Sequence, residues 1–232
     1  MEEEIRNIRK QLRLAMNGII ANSMREKGMN YKLIFGVPLP EIKQIAALHT
    51  PDADLARALW QEDVREMKIL ATLLFPPEAM THDEARRWVA EIPYPEIAEQ
   101  LANNLLPLLG KADALAVSLL ADAESPFSRT VGFLLWAQLY KRKKEVNPAS
   151  QEVFLSESFC TLQPEDGREI PWSEKRAAVQ ALRFFGRLSS VHANEVLEIV
   201  HPESPTAEQQ EFYEELKFEF EEWDKDSSES RS

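Results

Sequence analysis

The 232-residue sequence predicts an all-α protein, and three observations carry that prediction. Glycine is scarce, with 7 residues. The 14 prolines fall mostly between apolar periodic segments, and the apolar residues recur at helical rather than alternating spacing. With 44% hydrophobic residues, the chain can bury a core in one large domain or an extended repeat domain.

Each element follows from its local pattern. Residues 2–26 place Ile5, Ile8, Leu12, Ala15, Ile19 and Ile20 on one stripe that ends at Gly28. The turn-rich MNYKLIFGVPLP leads into a short helix, EIKQIAALH. DADLARALWQED and VREMKILATLLF come next, stopped by Pro76 and Pro77. Thr81 with Glu84 forms a capping box for EARRWVAEI. Residues 95–109, 111–123 and 126–143 read as three more helices, with Pro126 behind Ser125 at a first-turn position; Pro148 behind Asn147 repeats the device. The loop LQPEDGREIPW separates a helix at 149–160 from one at 173–188, and a further helix covers 191–200.

These make about eleven helices in consecutive pairs, at about 35–45 residues per pair, the range of HEAT and armadillo-like repeats. The expected fold is therefore an α-α superhelix, a solenoid of about five to six helix pairs over residues 1–202. A compact all-α bundle is the alternative. The distinction matters because a solenoid offers a long surface to an extended partner.

Residues 203–226 stand apart. Thr206-Ala-Glu-Gln reads as a helix start, and Phe212, Leu216, Phe220 and Trp223 form a stripe with an acidic back. A capping helix over the last repeat is expected, followed by a disordered tail at 227–232. The sharper alternative is that this acidic segment folds over a basic groove and competes with the polyanion such a groove would bind, or meets a protein partner.

Charge supports that division. The chain carries a net charge of −12, but residues 203–232 hold 11 acidic and 3 basic residues, leaving −4 for the first 202. A basic face on the body is compatible with that balance. The single cysteine, Cys160, excludes an intramolecular disulfide, and its apolar context SFCTL suggests a buried thiol. No apolar run approaches a membrane span, and MEEEIRNIRK does not resemble a signal peptide, so a cytoplasmic location is expected.

Ordinary catalytic motifs are absent. His49, His82, His192 and His201 have no second ligand at helical spacing and read as surface or loop residues. There is no Gly-rich phosphate loop, nucleophile elbow or dinucleotide fingerprint. No metal, cofactor or membrane partner is expected. Three tracts remain: LWQEDVREMKILA (59–71), SPFSRTVGFLLWAQLYKRKK (125–144), which ends in four cations, and EKRAAVQALRFFGRL (174–188). In the last, Lys175 and Arg176 open the tract, and Arg183 and Arg187 lie one helical turn apart on one face. Their planar guanidinium groups suit phosphate.

On FGVPLPEIKQIA, LARALWQEDVREMKILATLL, SPFSRTVGFLL and RAAVQALRFF, in that order, residues 30–200 resemble the AlkD-like family of DNA alkylation repair proteins, glycosylases built from HEAT-like helix pairs. The resemblance implies double-stranded DNA held in a basic groove and excision of alkylated, cationic purines. Tryptophans flank the nucleotide in such a cleft, and an aspartate stabilises the developing sugar cation. The family's WDxxD-type segment falls on YPEIA, so Tyr94 stands at the tryptophan position and Ala98 at the aspartate position. Gln180 stands where the family has a second tryptophan, and Arg129 in SRTV matches its arginine. The resemblance thus assigns DNA contacts to Tyr94, Arg129 and Gln180, beside Lys175, Arg183 and Arg187 from the cationic tract. Glu99 or Glu96 is the substitute acid. DNA binding of the DNA alkylation repair class is the expected function, with the acid that glycosylase activity needs not at its expected position. An active glycosylase using Glu99 or Glu96 with Tyr94, and a protein-interaction scaffold, are the alternatives.

Overall fold

A computed structural model describes residues 1–164, 168–201 and 204–229, with side chains as far as Trp223. Thirteen α-helices and no strand occur among the described residues. The chain divides into two compact units, Met1–Gly110 and Lys111–Ser232, where the sequence reading draws one domain over 1–202.

The first unit contains α1 (Glu2–Leu14), α2 (Gly18–Glu26), α3 (Leu39–Ala46), α4 (Ala53–Gln61), α5 (Arg65–Leu74), α6 (His82–Ala90) and α7 (Pro95–Asn104). The stripe over 2–26 is broken rather than continuous. Asn17 takes an extended backbone, and its Oδ1 accepts from the amides of Ile19 and Ile20 at 3.1 Å each, starting α2. The stripe misled because Ile19 is 85% exposed and contributes nothing to the core. Mostly buried α5 is the centre of the unit, packing on α3, α4 and α7. The expected helix at 95–109 ends at Asn104 and continues as a 3₁₀ turn, Leu106–Leu108, since Pro107 lacks an amide hydrogen. His49 is buried rather than superficial, with Nδ1 2.7 Å from Glu4 and Nε2 2.8 Å from Gln11, tying the end of α3 to α1.

The second unit contains α8 (Ala112–Leu120), α9 (Ser128–Lys141), α10 (Pro148–Leu162), α11 (Trp172–Gly186), α12 (Ser190–Val200) and α13 (Ala207–Glu229). The α9 and α11 helices share its largest contact, where the rings of Tyr140 and Phe185 lie 5.2 Å apart, while Phe133 and Trp136 of α9 meet Phe154 of α10. Pro126 lies ahead of α9 rather than in its first turn, because Asp122 accepts from the amides of Glu124 and Ser125 and holds a separate turn there. Asn147 does cap α10, accepting from the Ala149 amide at 2.9 Å. Cys160 is exposed, not buried, because α10 turns Phe154, Ser158, Thr161 and Leu162 to the core instead.

The acidic segment forms α13. Thr206 and Gln209 exchange bonds as a capping box, and Phe212, Leu216 and Phe220 are buried against the unit. Gly186 on α11 makes room for this packing: a Cβ there would meet the Phe220 ring at 2.3 Å. The helix runs to Glu229, and Glu203 and residues 230–232 of the expected tail lie outside the described residues.

Candidate nucleic-acid interface and the displaced acid position

In the first unit, the stretch IPYPEIAEQ builds the start of α7. Pro95 occupies the first helical position and keeps Tyr94 extended. The Tyr94 hydroxyl accepts from the Asn30 amide at 2.7 Å, and its ring lies 4.8 Å from that of Tyr31. Tyr94 therefore pins the 29–31 loop with both its ring and its hydroxyl. Tyr31 is buried with no partner for its own hydroxyl among the described residues; burial first, and then the charge of Glu96, raise its pKa.

Glu96 is not free. The Arg65 fork grips it, with Nε to Oε2 at 2.7 Å and Nη2 to Oε1 at 2.6 Å. Arg65 also donates to Glu66 and to the Val37 carbonyl, both at 3.0 Å. Glu66, fully buried, accepts from the amides of Phe35, Gly36 and Val37. This network locks the 35–37 loop onto α5 and α7. Gly36 is required there: at φ +73 its backbone approaches so closely that a Cβ would lie 2.2 Å from the Asn17 carbonyl. Ala98, the position assigned to the aspartate, is fully buried. One residue on, and so about 100° round the helix, Glu99 faces outward. It makes no hydrogen bond or ion pair among the described residues, and desolvation, with the charge of Glu96, raises its pKa.

In the second unit, Arg129 is consumed by structure. It donates to Glu174 at 2.6 Å, Glu157 at 2.9 Å and Thr161 at 2.9 Å, and also to the Leu120 carbonyl. Its side chain is 14% exposed, so it acts as a hub joining α9, α10 and α11. The cations of α11 are likewise matched, by α13. Lys175 pairs with Glu208 at 2.5 Å and Arg176 with Glu215 at 2.6 Å; Arg183 pairs with Glu215 and Arg187 with Glu219. The hydrogen bond from Arg176, aided by Arg183, holds Glu215 below the usual glutamate pKa. Gln180, half-buried, falls on the same stripe as Arg176, Arg183 and Arg187 and has no hydrogen-bond partner among the described residues.

The lysines that end α9 differ. Lys141, Lys143 and Lys144 are exposed and make no ion pair among the described residues. With Arg187 they line a cavity of about 760 Å³ that also takes in Phe184 and Trp223, and no carboxylate is among its described lining residues. Lys141 Nζ and Arg187 Cζ each lie 5.7 Å from the centre of the Phe184 ring. The sequence shows the lysine run, but nothing in it brings Phe184, from α11, and Trp223, from α13, to the same place. No cluster of three metal-ligating side chains occurs among the described residues, and no described helix is long and apolar enough to cross a membrane.

A family model described as DNA alkylation repair enzyme matches residues 8–156. No curated protein sequence matches the chain. Among solved structures, one described as belonging to a new family of proteins related to the HEAT-like repeat DNA glycosylases, with affinity for branched DNA structures, is similar at TM-score 0.75 and 17% identity, covering 94% of each chain. The HEAT-like helical fold expected from the spacing of the helix pairs is thereby established.

Proposed function

The chain belongs to the DNA alkylation repair enzyme family, and from that premise we propose that it binds DNA without excising bases through the family's aspartate. One position carries the reading. Ala98 stands where the resemblance puts the acid and is fully buried, while nearby Glu96 is held by the Arg65 fork. A sugar cation needs a charged carboxylate within reach. A carboxylate already paired with a buried guanidinium has neither its charge nor its position to spare. The DNA part of the reading is supported by family membership and by the fold shared with a protein that has affinity for branched DNA. Double-stranded DNA carrying a branch or an alkylation lesion is the proposed partner.

Binding and base release separate the possibilities. Fluorescence anisotropy with linear, branched and methylated duplexes should show binding that weakens steeply with salt. Chromatography of the methylated duplex after incubation should show no free base. Failure to bind any of the three refutes the DNA reading and leaves the protein-interaction scaffold. Release of base refutes the non-excising reading.

A second reading has one observation behind it. Glu99 is an unpaired carboxyl with a raised pKa, a state suited to general acid chemistry. Base release that is lost in Glu99→Gln and kept in Glu96→Gln would establish that reading instead.

A further inference from the structure

We propose that the cavity formed by the ends of α9 and α11 with Trp223 of α13 is a nucleic-acid site that takes an unpaired nucleotide together with its flanking phosphates. This site rests on the DNA-binding reading above, and adds where contact is made and which part of DNA fills it.

Charge selects this place over the rest of the unit. Every cation of α11 singled out above has a carboxylate from α13, and Arg129 has two of its own. Among the described residues Lys141, Lys143 and Lys144 have none, and they converge on a cavity whose described lining holds no carboxylate, in a chain of net charge −12. Cations at a helix C-terminus also answer the helix dipole, but that effect fades within the last turn. Lys143 and Lys144 lie beyond it.

The backbone makes the same point independently. α9 ends in a Schellman turn, with the Lys143 amide bonded to the Tyr140 carbonyl and the Lys144 amide to the Leu139 carbonyl, both at 2.9 Å. The residue at the left-handed position of such a turn is usually glycine. Here it is Lys143, at φ 51. The left-handed residue here carries a side chain, and that side chain adds a cation to the cavity wall.

The aromatic residues define the ligand. A volume of about 760 Å³ is ample for one nucleotide. Phe184 offers a ring already flanked by Lys141 and Arg187, and Trp223 lines the same space. Rings among cations are the arrangement that holds single-stranded nucleic acid, with bases stacked and phosphates neutralised. Bases within an intact duplex are stacked on one another and cannot enter. The site therefore favours DNA with a flap, gap or branch over linear duplex. Glu145, exposed and adjacent in sequence, Glu219, paired with Arg187, and Glu222, next to Trp223 on α13, are among the acids that an incoming phosphate meets.

The test is anisotropy with fluorescein-labelled linear duplex, the same duplex bearing a single-stranded flap, and the single strand alone. The full chain is compared with the triple variant Lys141→Gln, Lys143→Gln, Lys144→Gln, and with Phe184→Leu and Trp223→Leu, each first shown by thermal melting to be folded. The triple variant is expected to weaken binding to every probe about tenfold or more, and to lower the salt slope by about 2–3. The two aromatic variants are expected to lose the preference for the flap about fivefold or more at an unchanged slope. Wild-type affinity and slope in the triple variant, with the full chain binding DNA, overturn the site and leave the DNA reading standing. No binding by the full chain overturns that reading and the site with it. A poly-glutamate peptide held by the same lysines as tightly as the flap reassigns the cavity to an acidic protein partner.

Discussion

Replacing Ala98 by aspartate restores a carboxyl group to the position where the resemblance expects the family's acid, and the structure says that it will not restore the chemistry. Ala98 is fully buried on α7 with Ile97 and Leu101. The extra atoms overpack this core at a cost of about 1–3 kcal/mol. Ionisation is excluded there, so the folded-state pKa of the new group rises well above its unfolded value of about 3.9. A raised folded pKa means that the native state holds the proton longer, so stability is retained below the unfolded pKa and lost as pH rises. If the group stays protonated to pH 7, the loss grows by about 1.4 kcal/mol per pH unit and reaches about 4 kcal/mol at pH 7. The sum, about 5–7 kcal/mol, is comparable with the whole stability of an ordinary domain. Urea melts of Ala98→Asp and the wild type at pH 4.5 and pH 7.5 measure it, read as the difference between the two proteins at each pH. The deficit should widen as pH rises, and methylated duplex should yield no free base. A deficit below about 1 kcal/mol at both pH values, well short of a core carboxyl, would refute the reasoning. So would base release by the folded variant, since residue 98 would then face the ligand.

Three further outcomes follow from the second unit. Lys143→Gly relieves a left-handed side chain worth about 1–2 kcal/mol while adding unfolded-state entropy worth about 0.5–1 kcal/mol, so a neutral to slightly raised melting temperature is expected together with weaker DNA binding. A clear loss of stability would show that the lysine itself holds the turn. Gly186→Ala drives a Cβ into the Phe220 ring and should loosen α13, seen as faster amide exchange over 207–223 with protection in α8 and α9 unchanged. Glu215, whose pKa is lowered chiefly by Arg176, contributes stability above the ordinary glutamate pKa that disappears as pH falls through the folded value. Glu215→Gln should thus melt lower than the wild type at pH 7, with the two converging in acid; a constant gap would mean the pair contributes nothing through charge.

What the sequence could and could not reveal divides along range. The box at Thr206 with Gln209 and the caps at Thr81 and Asn147 were legible because both partners sit within three residues of each other, whereas Glu84, expected to close a box with Thr81, turns its carboxylate to Arg57 instead. The break between α1 and α2 was not, since Ile19 continues the apolar rhythm yet points to solvent. Arg129, Arg183 and Arg187 carry the charge that suits phosphate, but their partners Glu157, Glu174, Glu215 and Glu219 lie some 28–45 residues away, where spacing rules do not reach. Glu96 is the same case: its availability was decided by Arg65, 31 residues earlier. The lysine run at 141–144 was visible as charge, whereas its conversion into a cavity needed Phe184 and Trp223 from helices that only the fold brings together.

Those long-range pairs also bear on how a chain of net charge −12 would approach DNA, as the proposed function requires. Each contact between α11 and α13 removes a cation from phosphate binding, and at the same time turns a carboxylate away from repelling it. Lys141, Lys143 and Lys144 are cations that make no ion pair among the described residues. Screening at physiological salt has a range of about 8 Å, so acids elsewhere on the surface act weakly on a compact lysine cluster. With few phosphate contacts, affinity for plain duplex stays modest and falls quickly with salt. Discrimination then has to come from the uncharged part of the site, because lysines read phosphate without regard to sequence or structure. Phe184 and Trp223 supply rings that an unpaired base can reach and a paired base cannot, so selectivity for discontinuous DNA follows from the weakness of the charge term rather than despite it.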